Sequence, residues 1–256
     1  MIPLLAFLLG LLVAVPAVHL AEAAMTHRRA GKPRCPYCRA PLPPRQWSAT
    51  LAFLTGQPRC PTCGKPLRWQ RLIGEVGLAA TWALIAHRFG LTPRSLAAML
   101  AVLPLWMITV TDLESRLIPN RVILPALALI ALPATLWGPP VPGLEGWRWW
   151  QGPVGALLGF VAMWVLATLG QLLVGEGALG AGDVKLAAYV GFVVGYPLII
   201  ELLIVAFVLG GLGGILLLLT RRGNLRSAMP YGPYIVLGTL AVLLYSVELT
   251  RWLFGG

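Results

Sequence analysis

Charge is scarce in this chain, and acidic charge scarcer still. Only 11% of its 256 residues are charged, with 9 Asp+Glu against 20 Lys+Arg. A soluble domain carries about a quarter charged residues, so a water-soluble globule is excluded. Cysteine is nearly as rare, and all 4 fall within residues 35–63. That clustering excludes a disulfide framework spread over the chain. No basic stretch precedes the apolar run 2–20, so the run reads as a first spanning helix and not as a cleaved signal. His19, His27 and His87 have no ligand spacing and read as interfacial or packed. No internal repeat or low-complexity tail stands out.

What the chain has in abundance is apolar sequence: it is 58% hydrophobic, with a mean hydropathy of +0.79. Runs near twenty residues recur along its length, each long enough to cross a bilayer as a helix. The expected architecture is an all-α polytopic membrane protein with about eight transmembrane helices, near 2–20, 72–90, 95–111, 121–138, 152–174, 184–200, 202–219 and 231–250. Eight crossings put the loops near 21–71, 112–120, 175–185 and 220–230 on one side, with 16 of the 20 basic residues. The positive-inside rule makes that side cytoplasmic. The net charge of +11 then belongs to cytoplasmic loops and anionic lipid contact, not to nucleic-acid binding. Trp147-Arg148-Trp149-Trp150 falls opposite, as an aromatic belt would. Gly210-Gly211-Leu212-Gly213-Gly214, inside a span, reads as a site of close helix packing.

Three units follow: a transmembrane helix at 1–20, a cytoplasmic module at 21–71 and a membrane-embedded core at 72–256. The module holds ten basic residues, one acid (Glu22), many prolines and the pairs Cys35-Pro-Tyr-Cys38 and Cys60-Pro-Thr-Cys63. Each C-x-x-C turn can present two sulfurs, and four thiolates enclose one zinc ion tetrahedrally. Cys35, Cys38, Cys60 and Cys63 are therefore expected to hold a structural zinc, among loops and short strands. The metal would supply folding energy that so small a module lacks.

Two polar interruptions mark the core: Asp112-Leu113-Glu114-Ser115-Arg116-Leu117-Ile118-Pro119-Asn120 and Gly180-Ala181-Gly182-Asp183-Val184-Lys185. Each sets an aspartate at the end of a helix on the same predicted face. Pro119 limits continuation of the first helix, and the glycines let a substrate backbone approach the second. Ionisable groups at membrane depth are costly and point to function. Two facing carboxyls can share one proton, so that one activates water while the other polarises a peptide carbonyl. Glu114 and Glu176 are rival carboxylates, read as solvated loop charges.

At these residues the chain resembles the prepilin peptidases, the type IV leader peptidases of bacteria. The family's aspartate followed by Ile-Pro-Asn matches Asp112 and Ile118-Pro119-Asn120, and its Gly-x-Gly-Asp-x-Lys matches Gly180, Gly182, Asp183 and Lys185. Its Pro-aromatic-Gly-Pro matches Pro230-Tyr231-Gly232-Pro233. The paired C-x-x-C insert matches 35–63, and Glu75 falls where the family has a glutamate opening the next helix. The resemblance covers about residues 30–245. It implies an aspartyl endopeptidase of the bacterial inner membrane that removes the basic leader of type IV prepilins or pseudopilins after a glycine, at the cytoplasmic face. Asp112 and Asp183 would be its catalytic pair, supported by Pro119, Asn120, Gly180, Gly182, Lys185 and Glu75. Members with the cysteine insert commonly also methylate the new N-terminus, with S-adenosylmethionine. The family's Gly-Ser-Phe-x-Asn-Val segment has no counterpart here, where residues 18–25 read Val-His-Leu-Ala-Glu-Ala-Ala-Met.

Two other classes use the same residues. A transporter could bind protons or cations at the aspartates, although transport sites sit nearer the midplane. A zinc-module scaffold would explain the cysteines but leave both aspartate motifs without a purpose.

Overall fold

The computed structural model describes residues 1–25, 31–137, 141, 148–174, 179–220 and 230–254, with backbone alone for 131–137 and 174. His27, Trp147 and Glu176 lie outside these residues. In order, the helices are α1 (Ile2–Met25), α2 (Ala49–Leu54), α3 (Trp69–Phe89), α4 (Pro93–Ser115), α5 (Asn120–Trp137), α6 (Gln151–Val174), α7 (Ala181–Val194), α8 (Leu198–Leu219) and α9 (Gly232–Phe254). The eight longer ones occupy the eight stretches expected from hydropathy.

Five of them, α1, α4, α6, α8 and α9, are long and apolar enough by themselves to cross a membrane. α3 carries buried Arg71 and Glu75, and α7 has 14 residues, about 21 Å of helix against a hydrocarbon core of about 30 Å. Local chemistry sets the ends. Thr92 and Ser95 cap the start of α4 reciprocally, with Pro93 inside its first turn, the arrangement that satisfies orphan N–H groups. Arg116 ends α4 in the left-handed region, its N–H returning to Asp112 O at 2.8 Å.

Small residues let these helices approach. A Cβ on Gly155 of α6 or Gly191 of α7 would run into the other's carbonyl oxygen, and α6 and α7 form the most extensive helix pair. Close backbone approach of this kind is how membrane helices gain packing without a hydrophobic drive between them. The glycine run in α8 was expected to serve the same end. Gly210 meets a neighbour closely, the Tyr231 ring, while Gly211 and Gly214 have no described neighbour within reach of a Cβ.

The cysteine module corrects two expectations. Among the described residues it has no strands, only the isolated bridges Arg34–Pro41 and Arg59–Pro66. It is also an internal repeat: Pro33-Arg-Cys-Pro-Tyr-Cys-Arg-Ala-Pro-Leu42 and Pro58-Arg-Cys-Pro-Thr-Cys-Gly-Lys-Pro-Leu67 fold alike. Cys35 N–H donates to Ala40 O and Cys60 N–H to Lys65 O, both at 2.9 Å. Leu42 N–H closes onto Pro33 O and Leu67 N–H onto Pro58 O. Leu42, Leu67 and Ala52 pack with the buried Cys35 and Cys60 in a small core of their own.

Candidate active site and metal centre

Asp112 stands in the last turn of α4 and is 4% exposed, while Asp183 stands in the first turn of α7 at 8%. Each carboxyl is held by a backbone N–H. Gly232, opening α9, donates to Asp112 Oδ2 at 2.9 Å, and Gly180 donates to Asp183 Oδ2 at 3.1 Å. Three helix ends therefore converge: the finish of α4 and the starts of α7 and α9. Tyr189 on α7 donates its hydroxyl to Ala101 O of α4 at 2.8 Å and ties these two helices farther down. The charge of Asp112 acts on Asp183, and that of Asp183 acts on Tyr231. Asp183 Oδ1 and the Tyr231 hydroxyl are both buried without a hydrogen-bond partner among the described residues.

Most of the other residues singled out in the sequence gather here. The loop after α4 brings Ile118 against Gly182, where a Cβ would lie 3.0 Å from Ile118 Cβ. Pro119 accepts the N–H of Val122 at 2.9 Å and so starts α5. Asn120 Oδ1 takes a hydrogen bond from Lys185 Nζ at 3.0 Å, joining α5 to α7. Glu75 goes elsewhere. Its side chain accepts from Ser48 Oγ, Ala49 N, Thr50 N and Thr50 Oγ1 at 2.7–2.8 Å. It thus seats the start of α2 on α3. Glu114 is no solvated loop charge: its side chain is 1% exposed and pairs with Arg68 at 2.6 Å. Gly232 and Tyr231, absent from the expected site residues, join it. Their signal was the Pro-Tyr-Gly-Pro motif.

The four cysteine sulfurs lie within 4.8 Å of one another, with Cys35–Cys63 at 3.7 Å and Cys38–Cys60 at 3.8 Å. Four sulfurs placed about 2.3 Å from one ion in a tetrahedron stand about 3.8 Å apart. The cluster therefore fits a single metal ion. Within the cluster the N–H groups of Cys63 and Thr62 draw the Cys60 thiol down to about 6, toward the thiolate that a metal needs, while its neighbour Cys38 is pushed up to about 11.

Comparison with known proteins completes the picture. The type IV leader peptidase family matches residues 99–215, and the bacterial peptidase A24 N-terminal domain matches residues 4–89. A prepilin leader peptidase/N-methyltransferase of Bacillus subtilis (strain 168) is 31% identical over 82% of this chain and 80% of its own length. A protein of the same name from Aeromonas hydrophila is 29% identical over 85% of this chain and 73% of its own. One from Pseudomonas putida is 32% identical over 66% of this chain and 57% of its own. No solved structure matches the chain significantly.

Proposed function

The chain belongs to the type IV leader peptidase family, and we propose that it is an aspartyl endopeptidase that removes the basic leader of type IV prepilins or pseudopilins after a glycine. Asp112 and Asp183 form its catalytic pair. The observation that carries this reading is the pair of buried carboxyls, each fixed by a glycine N–H, with Asp183 Oδ1 unpartnered among the described residues. Two buried carboxyls at converging helix ends disfavour double ionisation, so the pair holds one proton between them. The ionised carboxyl takes a proton from water as it attacks the scissile carbonyl, and the protonated one gives its proton toward the carbonyl oxygen. On collapse of the tetrahedral intermediate the proton taken from water passes to the leaving amine, and the proton on the former carbonyl oxygen returns to the carboxyl that gave it.

The surrounding residues position this pair. Gly182 and Ile118 fix the loop after α4 against α7, and Lys185 with Asn120 ties α5 alongside. Pro119 starts α5 beside the end of α4, and Gly180 caps the start of α7, which carries Asp183. Cys35, Cys38, Cys60 and Cys63 hold a structural zinc that closes the module on itself. The protein lies in the bacterial inner membrane with the aspartates at the cytoplasmic face, where the positive-inside rule places both motifs. The basic module rests on anionic lipid, each cation near the surface adding about 1 kcal/mol.

The chain also methylates the N-terminus it exposes, with S-adenosylmethionine as donor. Support for this second activity comes from the names of its relatives. Mass analysis of a synthetic prepilin incubated with membranes carrying the wild type, with and without S-adenosylmethionine, tests both steps. A mature product one methyl group heavier only when the donor is added is the expected result. Cleavage without that mass gain would leave the peptidase and remove the methyltransferase.

A further inference from the structure

Where the cysteine module meets the ends of α1, α3 and α4 there is a cavity of about 610 Å³, within the range of small-ligand sites. Its lining includes Arg68 and Arg71 with Glu22 and Glu114, and three further cations, Lys32, Arg34 and Arg39. Both carboxylates are already matched. Arg71 grips Glu22 through two N–H donors, and Arg68 reaches Glu114 Oε2 at 2.6 Å. Lys32, Arg34 and Arg39 are exposed and make no ion pair among the described residues. The lining thus has a surplus of positive charge. One atom asks for the opposite: Glu114 Oε1 is buried with no hydrogen-bond partner among the described residues.

An occupant that suits this lining offers an anion to the three free cations and an O–H or N–H donor to Glu114. S-adenosylmethionine supplies donors and a carboxylate, but it is a net cation and the surplus opposes it. An anionic glycerophospholipid fits both demands, with its phosphate for the cations and its headgroup hydroxyl for the carboxylate oxygen. The position agrees. Ala23 and Met25, at the end of the apolar helix α1, form part of the wall, which sets the cavity at the depth of headgroups. Basic pockets at the cytoplasmic ends of membrane helices take such headgroups.

We propose that this cavity binds the phosphate-bearing headgroup of an anionic glycerophospholipid, held by Lys32, Arg34 and Arg39 with its hydroxyl on Glu114. Surface adsorption of the module needs only its summed charge; this site needs three particular cations. Since Glu114 lies two residues beyond Asp112 on α4, a seated headgroup joins the module, the membrane and the aspartate-bearing helix end.

The test compares the full-length wild type with K32Q/R34Q/R39Q and with R45Q/R59Q/K65Q, which removes the same charge from exposed module positions outside the cavity. Retention of phosphatidylglycerol over phosphatidylcholine is read by mass spectrometry of the intact protein in detergent. The cavity variant is expected to lose roughly a hundredfold of that preference, the factor that three basic contacts near a membrane surface supply. The control variant is expected to keep it. Equal loss in both variants would overturn the site in favour of diffuse charge. Thermal stabilisation by inorganic phosphate, measured without lipid, separates the sources. Protection of wild type but not the cavity variant by phosphate, equal to that by phosphatidylglycerol, would assign the site to a soluble phosphate and overturn the lipid. Protection by S-adenosylhomocysteine and by neither phosphate probe would overturn it in favour of the methyl donor.

Discussion

At position 232 only a hydrogen fits where a side chain would begin. A Cβ there would stand 2.7 Å from Asp112 Oδ2, displacing the carboxyl that the Gly232 N–H holds. Gly232→Ala is therefore expected to lower prepilin cleavage roughly a hundredfold, the usual effect of shifting a catalytic group by about 1 Å. Cleavage rates measured alongside membrane protein levels check this; unchanged cleavage at normal levels would remove Gly232 from the site. The motif around it was legible in the sequence, and its purpose was not. The hydrogen bond joins residues 120 positions apart, and spacing along one strand of sequence cannot state which distant carboxyl an N–H will meet. Asp112 and Asp183 stand out in the sequence for a different reason: two carboxyls beside apolar runs, on one predicted face, are costly enough together to suggest a joint role.

Among the elements, α2 shows how a local reading can misplace a residue's partners. Glu75 lies in the second turn of α3 and by its motif is expected to support the active site, yet among the described residues its four hydrogen bonds go to Ser48, Ala49 and Thr50. Replacing it by Ala leaves two hydroxyls and two N–H groups without their acceptor, at a cost of about 3 kcal/mol or more. Glu75→Ala is expected to loosen α2 from α3, raising protease sensitivity within 31–68 while the helices after 93 stay protected. Limited proteolysis followed by peptide mapping would show it, and an unchanged digestion pattern would contradict it. The paired knuckles were also open to reading, since Pro-Arg-Cys-Pro recurs at 33–36 and 58–61. They escaped because the ten-residue unit lies below the period of ordinary structural repeats. The shortness of α7 escaped for another reason: Gly195 ends that helix at φ +72, inside a run that hydropathy alone extends to residue 200.

For the whole molecule, composition decided most. With 58% hydrophobic residues in helix-length runs, the chain has few alternatives to a helical membrane protein. The module is the exception, a cysteine-rich unit that we propose lies outside the bilayer. The single metal ion that its four sulfurs fit would require thiolates, and backbone N–H groups draw the Cys60 thiol down. Protons compete with the metal for all four thiolates, so loading is expected to be full near neutral pH and to be lost as the pH is lowered through the acid range. Zinc content of the purified protein, dialysed across that range, measures this directly; a flat profile would contradict the four-thiolate site.

The central claim is that Asp112 and Asp183 act together on a peptide bond, and the most direct measurement is cleavage of a prepilin by membranes carrying wild type, Asp112→Asn or Asp183→Asn. Asparagine keeps the size and the glycine hydrogen bond of each side chain but cannot carry a proton between water and carbonyl. The expected result is a mature product from the wild type and a loss of at least about a hundredfold in each variant, with all three proteins present in equal amount. Cleavage at wild-type rates by either variant would contradict the paired mechanism.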